Sequence, residues 1–158
     1  MLYADWKKQK QEEFNSLPIF WAFSNEQFRK AMEERGLTEN DTDKIYSLGG
    51  GGFYLRTDAE KVRAYFSKPD ELPELMESDA EFCEDAFYYE MCNYEYAINY
   101  YQRDWDVCSC FSSAELDFKD GKSYAEYLKE AGYSDRVVEI YKAARKKYYK
   151  AAQENNWY

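Results

Sequence analysis

The chain has 158 residues, no histidine and a formal net charge of −10, with a pI near 4.6. Its apolar content of 45% and aromatic content of 20% argue against disorder, and its length fits a single domain over residues 1–158. The acidic charge disfavours binding to bare nucleic acid or anionic lipid, since both would repel the protein. Without histidine, Ser-His or Cys-His catalysis and His-ligated zinc are excluded.

The first 69 residues predict a small strand-and-helix layer. A helix over residues 4–16 ends at Leu17-Pro18, because the residue before proline is pushed out of the helical region. The apolar run Ile19–Phe23 predicts a strand buried on both faces. Ser24 and Gln27 then form a capping box for a helix that ends near Gly36.

Four consecutive glycines lie between two short β-prone runs, residues 44–48 and 53–56. This pattern predicts a hairpin with a wide turn. Thr57 and Glu60 form a second capping box, which predicts a helix of about ten residues that ends at Pro69.

Residues 70–102 hold ten Asp or Glu residues and no Lys or Arg, so this segment carries a charge equal to that of the whole chain. Residues 70–78 are interpreted as an acidic linker, and Ser78 as the cap of a helix that continues to about Gln102. Two apolar stripes, one from Phe82 to Tyr100 and one from Cys83 to Ile98, predict a central helix contacted from two sides.

The last third predicts a mainly helical part, residues 103–158. The run WDVCSCF is interpreted as a strand. Ser123 begins a short helix closed by Gly132, and Ser134 begins a final helix with a basic side. The predicted fold class is therefore α+β: a two- to three-stranded sheet flanked by helices, a central acidic helix and a helical C-terminal part.

The glycine run is a candidate ligand site, formed by Gly49, Gly50, Gly51 and Gly52. Backbone N–H groups of such a loop could cradle a phosphate. A P-loop requires a following helix, whereas a strand follows here, so a hairpin turn is favoured. A third interpretation is close approach to a partner's backbone, which glycine permits.

Glu90, Asn93 and Glu95 could bind a hard cation or act as an acid–base pair. The favoured interpretation is instead that Asn93 lies in the interior stripe, hydrogen-bonded to a nearby loop. The four cysteines do not have a zinc-finger spacing and are interpreted as buried apolar residues. We therefore predict no metal site and no cofactor.

The acidic segment is the strongest candidate for partner binding. Ten carboxylates without local counter-charge repel one another, and a basic partner surface would relieve that repulsion. A row of carboxylates can also imitate a phosphate backbone, with Tyr rings as stacking faces. The residues predicted to contact a partner are Asp79, Glu81, Glu84, Asp85, Tyr88 and Glu95.

Three segments in this order, FWAFSNEQF (20–28), KIYSLGGGGFYLR (44–56) and AFYYEMCNYEYAIN (86–99), resemble a family of small proteins of unknown function found in phages and gut bacteria. The resemblance covers about residues 19–100. Glu90, Asn93, Glu95 and Tyr96 match the family's Glu-X-X-Asn-His-Glu-Tyr helix, while Tyr94 replaces its histidine. The resemblance implies a mobile-element protein that acts inside a bacterial cell, and it implies no activity.

These observations predict a non-enzymatic, cytoplasmic binding protein made by a phage or mobile element. It would block a basic nucleic-acid-binding surface of a host defence protein, as anti-CRISPR-type inhibitors do. Two alternatives stay open. One is a small-ligand- or nucleotide-binding protein or enzyme that uses the glycine hairpin with Glu90 and Asn93. The other is a homo-oligomer in which the basic C-terminal helix docks on the acidic helix of a neighbouring copy.

Overall fold

A computed structural model of the chain describes residues 1–96 and 100–157. These residues form eight α-helices and a three-stranded antiparallel sheet, which confirms the predicted α+β class. The chain divides into two compact units. Unit 1 comprises residues 1–9 and 70–158, and unit 2 comprises residues 10–69. That the whole chain folds as a single domain stays a prediction.

The elements follow one another along the chain with short connections. The strands are β1 (Ile19–Trp21), β2 (Ile45–Gly49) and β3 (Gly52–Leu55). The helices are α1 (Tyr3–Asn15), α2 (Asn25–Glu33), α3 (Ala59–Phe66), α4 (Leu72–Ser78), α5 (Ala80–Asn93), α6 (Tyr100–Ser109), α7 (Tyr124–Glu130) and α8 (Asp135–Glu154).

Unit 2 is built around the sheet, in which β3 lies between β1 and β2. Successive side chains of a strand point to opposite faces. Phe20 of β1 therefore packs with Met32 of α2 on one face, while Tyr54 of β3 packs with Val62 of α3 on the other. The predicted hairpin is present. The run Ile19–Phe23 is not buried throughout, however, because the strand ends at Trp21 and the last aromatic residues are exposed.

Unit 1 has its core between α5 and α8. The Phe87 ring of α5 meets the rings of Phe111 and Tyr141 edge-on, with centroids 4.9 and 4.8 Å away. Edge-to-face contacts of this kind stabilise a core beyond the area they bury. Both predicted stripes of α5 contribute, since Phe82, Cys83, Ala86, Phe87 and Met91 are all buried. Ile98 and the side chain of Tyr100, which extended the predicted stripes, lie outside the described residues.

The acidic helix is shorter than predicted and ends at Asn93. The backbone N–H of Tyr96 donates to the Met91 carbonyl at 3.1 Å, and that of Glu95 donates to the Cys92 carbonyl at 3.4 Å. These two bonds form a Schellman motif, with Glu95 in the left-handed conformation at φ 48°. The prediction of a continuous helix was wrong because no Gly or Pro marks this end.

Two other predictions of local structure were also wrong. Residues 72–78, interpreted as part of a linker, form α4, which tolerates Pro73 because the first turn of a helix has no use for its missing N–H. The first five residues of the run WDVCSCF, 105–109, belong to α6, and the last two form a turn, so the run is not a strand. Asp104, Val107, Cys108 and Phe111 are buried at helical spacing, and the acidic residue hides that periodicity.

Helix caps were predicted with mixed success. The Ser24 hydroxyl accepts from the Gln27 N–H at 3.2 Å, but the Gln27 side chain accepts from the N–H of Phe23 instead of Ser24, so the predicted capping box is only half formed. Ser123 forms a complete capping box with Glu126. Asp79, rather than the predicted Ser78, caps α5. A 3₁₀ turn precedes α3, so Thr57 does not cap it.

Candidate partner-binding site

The N-terminal half of α5 borders a concavity of about 440 Å³ within unit 1. Three of the predicted partner-binding residues line it, because positions 81, 84 and 85 share one face of a helix. We call it the acidic concavity. Its lining residues are Leu2, Ala80, Glu81, Glu84, Asp85 and Lys147.

The three carboxylates of the acidic concavity have different surroundings. Glu81 is exposed, and its carboxylate forms no ion pair with the described residues. Glu84 lies 3.1 Å from the ammonium of Lys147. Asp85 accepts a hydrogen bond of 2.8 Å from the backbone N–H of Tyr3. Glu81 is therefore the carboxylate most available to a partner.

Asp79 and Tyr88 flank the acidic concavity. The Asp79 carboxylate accepts from the backbone N–H groups of Glu81 and Phe82, both at 3.0 Å, so it holds the first turn of α5. The ammonium of Lys147 lies 5.1 Å from the centroid of the half-buried Tyr88 ring. Lys147 thus contacts both an acid and an aromatic ring of the predicted set.

Glu95 lies apart from the other predicted residues. It is exposed and follows the C-terminal end of α5, fourteen positions after Glu81. At 1.5 Å per helical residue that separation is roughly 20 Å. The structure therefore does not bring Glu95 to the acidic concavity.

Part of the counter-charge for the acidic segment comes from α8 of the same chain. Besides the Lys147–Glu84 pair, Arg136 donates a hydrogen bond to the backbone carbonyl of Glu77. The Glu77 carboxylate accepts from the backbone N–H and hydroxyl of Ser134, at 2.8 and 2.6 Å. Sequence reasoning missed these partners because they lie more than fifty residues away. The basic side of the last helix was the available signal.

Glu90 and Asn93, the other candidate pair, belong to a separate cluster in unit 1. Glu90 is 1% exposed, and its carboxylate accepts from the Tyr3 hydroxyl at 2.9 Å, the Lys7 ammonium at 2.8 Å and the Asn93 amide at 3.1 Å. A buried carboxylate is costly unless it is paired in this way. Asn93 is exposed, so the interpretation that it lies in the interior was wrong.

Two further groups border the Glu90 cluster. Burial, reinforced by the negative charge of Glu90, raises the pKa of the Cys110 thiol to about 11. The hydrogen bond to Cys110 raises the pKa of Tyr94 to about 12. Both groups are therefore neutral near pH 7. The arrangement holds α1 to α5 and supplies no activated nucleophile.

The glycine run forms the turn between β2 and β3 in unit 2. Gly49, Gly50 and Gly51 have φ values of 81°, 57° and 86°, a backbone conformation that residues other than glycine rarely adopt. Phe23 packs against Gly51, and Trp21 packs against Gly52. The backbone conformation of the turn and the close packing of these two rings explain why glycine occupies the four positions. Ligand binding at the hairpin stays a prediction.

Over residues 1–96 and 100–157, no group of three or more Cys, Asp or Glu side chains is placed to hold a metal ion. Burial raises the pKa of Cys83 to about 12, and Cys108 is also buried, whereas Cys92 is exposed. In the same residues, no helix is both long and apolar enough to cross a membrane.

Fold and surface together define an α+β protein with an acidic helical unit and a small sheet unit. A sequence profile of a family of unknown function, DUF7659, matches residues 2–117, and the chain belongs to this family. The matched residues include all of unit 2 and the part of unit 1 up to residue 117, so they end before α7. No curated protein and no solved structure matches the chain.

Proposed function

We propose that this chain is a non-enzymatic, cytoplasmic binding protein of a phage or other mobile element. It inhibits a host defence protein by covering a basic surface that would otherwise bind nucleic acid. The observation that carries the proposal is the uneven distribution of charge between the two units. Unit 1 holds twenty-one acidic and twelve basic residues, whereas unit 2 holds ten and nine.

The acidic concavity gives this charge a point of contact. Glu81 and Glu84 present carboxylates on one face of α5, where a lysine or arginine side chain of the partner can pair with them. Lys147 already pairs with Glu84, so an incoming cation competes with it. Long-range attraction between acidic and basic surfaces mainly accelerates association and weakens with added salt.

The test is the kinetics of association with basic proteins captured from a bacterial host lysate. We expect the triple variant E81Q/E84Q/D85N to lower the association rate constant about tenfold at low salt and to flatten its salt dependence. Surface plasmon resonance at about 50 and 300 mM salt measures both quantities.

The control is a triple variant in unit 2, E34Q/E39Q/E60Q, which changes the net charge equally at exposed positions. We expect it to slow association by no more than about twofold, because the three positions belong to unit 2 and none of them lines the acidic concavity. Equal effects of the two triple variants would mean that net charge alone, rather than this site, attracts the partner. A complex that no variant weakens would overturn the proposal.

A further inference from the structure

Two exposed aromatic rings at the end of β1 pack against the glycine turn of unit 2. Phe23 is 73% exposed and Trp21 is 46% exposed. Their planes differ by 16°, and their ring centroids are 6.5 Å apart. Burial of a large aromatic side chain is energetically favourable, so two neighbouring exposed rings mark a candidate interaction surface. We call this pair the aromatic platform.

The backbone of the hairpin supports the aromatic platform from beneath. A β-carbon at Gly51 would lie 2.8 Å from the Phe23 ring, and one at Gly52 would lie 2.9 Å from the Trp21 ring. The Gln27 side chain also accepts a hydrogen bond of 2.8 Å from the Phe23 backbone N–H. Because the rings are held in place beforehand, less conformational entropy is lost when a partner binds.

Cations cover several other aromatic rings of the chain. The guanidinium of Arg35 lies 4.0 Å from the centroid of the Phe20 ring, and that of Arg56 lies 4.6 Å from the Tyr46 centroid. In the described part of the chain, by contrast, neither ring of the aromatic platform has a cation over it. The platform therefore offers ring surface that a cation from outside can reach.

The surroundings of the platform also favour a cation with several N–H donors. A concavity of about 390 Å³ lies beside Phe23, and its lining includes Ser24 and Asn25, whose side-chain oxygens can accept hydrogen bonds. Glu26, in the first turn of α2, is exposed three residues after Phe23. Unit 2 itself is close to neutral, with ten acidic and nine basic residues, but the chain as a whole carries a net charge of −10, which repels nucleic acid and attracts basic proteins at long range.

We propose that the aromatic platform binds an arginine side chain of a basic partner protein, with the guanidinium stacked on the rings of Trp21 and Phe23. A planar guanidinium stacks on aromatic rings and keeps its N–H donors free for oxygens in the same plane, which an ammonium does not. This site lies in unit 2 and does not depend on the acidic concavity of unit 1.

The test is an NMR titration of the full chain with a short peptide that contains two arginines. Matched peptides carry lysine, citrulline or leucine at the same positions. The reporters are the indole N–H signal of Trp21, assigned by its loss in Trp21→Phe, and the ring signals of Phe23. We expect the arginine peptide to bind about fivefold more tightly than the citrulline and leucine peptides. Equal binding of the leucine peptide, or no shift at these reporters, would overturn the proposal.

Variants at Phe23 separate cation stacking from simple apolar contact. Because this side chain is exposed, its replacement does not open a core cavity. Phe23→Leu keeps apolar area without the ring and should weaken arginine-peptide binding about fivefold, whereas Phe23→Tyr should keep it within about twofold. Unchanged affinity in Phe23→Leu would contradict the proposal. In E81Q/E84Q/D85N, the Trp21 signal should still shift when the arginine peptide is added. Loss of binding at the aromatic platform can therefore be distinguished from loss of binding at the acidic concavity.

Discussion

Asp104 shows how one buried acid joins three parts of unit 1. It is 2% exposed and accepts hydrogen bonds from the hydroxyls of Tyr96 and, at 2.6 Å, Tyr141. The Nε of Arg145 donates to the Tyr96 hydroxyl at 2.7 Å. Burial raises the pKa of Asp104, and the hydrogen bonds from the two tyrosines only partly oppose that shift. Its partners lie 8 and 37 residues away, so the sequence could not identify this network.

The raised pKa of Asp104 predicts a stability that depends on pH. A group whose pKa is higher in the folded state favours folding below its ordinary pKa near 4, and that contribution is lost as the pH rises through the raised value. We expect the free energy of unfolding of the wild type to fall relative to Asp104→Asn between about pH 4 and pH 8. Urea unfolding of both proteins across this range measures the difference.

Asp104→Ala serves as the comparison, because it removes the acceptor at every pH. It leaves two tyrosine hydroxyls without their partner and should lower the free energy of unfolding by about 2–4 kcal/mol across the range. If the difference between the wild type and Asp104→Asn did not change with pH, the carboxyl would not have a raised pKa in the folded protein.

Among the elements, α5 shows which helix boundaries a sequence reveals. Asp79, a residue type preferred at N-caps, marks its start. The helices α2 and α7 end within three residues of Gly36 and Gly132, which adopt the left-handed conformation. The end of α5 carries no such mark, because Glu95 occupies the left-handed position where glycine is usual. Local signals therefore predicted the N-caps Ser24, Ser123 and Ser134, whereas the left-handed Glu95 concealed the end of α5.

Replacing Glu95 by glycine should stabilise unit 1. A left-handed residue with a side chain costs about 1 kcal/mol relative to glycine, and the Schellman bonds of Tyr96 and Glu95 would be kept. We expect the midpoint of thermal unfolding to rise by roughly 3 °C, measured by circular dichroism.

Glu95→Gln provides the matched control for that change. It removes the charge but keeps the side chain, so it should leave the midpoint within about 1 °C. A larger gain from glutamine than from glycine would show that charge repulsion, rather than backbone conformation, limits stability at this position.

For the whole molecule, the region matched by the family does not complete the core of unit 1. Residues after 117 supply a large share of it, since seven of their apolar or aromatic side chains are 3% exposed or less: Tyr127, Leu128, Val137, Tyr141, Ala144, Tyr148 and Ala152. Burial of each larger apolar side chain contributes about 1.5 kcal/mol or more to the free energy of unfolding. The sum over these residues is comparable to the free energy of unfolding of a typical domain.

A chain that ends at Asp117 should therefore lose the cooperative unfolding of unit 1. Near-ultraviolet circular dichroism and urea titration measure this, and a chain that ends at Glu154 is the control because it keeps α8. A sharp transition of unit 1 in the shorter chain would show that α7 and α8 are dispensable.

The sequence predicted the fold class and the acidic helix, since composition and periodicity are local properties. It also predicted Glu81, Glu84 and Asp85 as neighbours, because helical spacing places them on one face. It could not predict that α8 of the same chain supplies Lys147, because that pairing depends on tertiary structure.

The division into units also bears on the order in which the chain folds during synthesis. Residues 10–69 are continuous and can complete unit 2 as soon as they leave the ribosome. Tyr3 and Lys7, by contrast, bond to Glu90, which is made more than eighty residues later. Tyr3 and Lys7 therefore cannot bond to Glu90 until unit 2 has been synthesised, so these contacts of unit 1 form late.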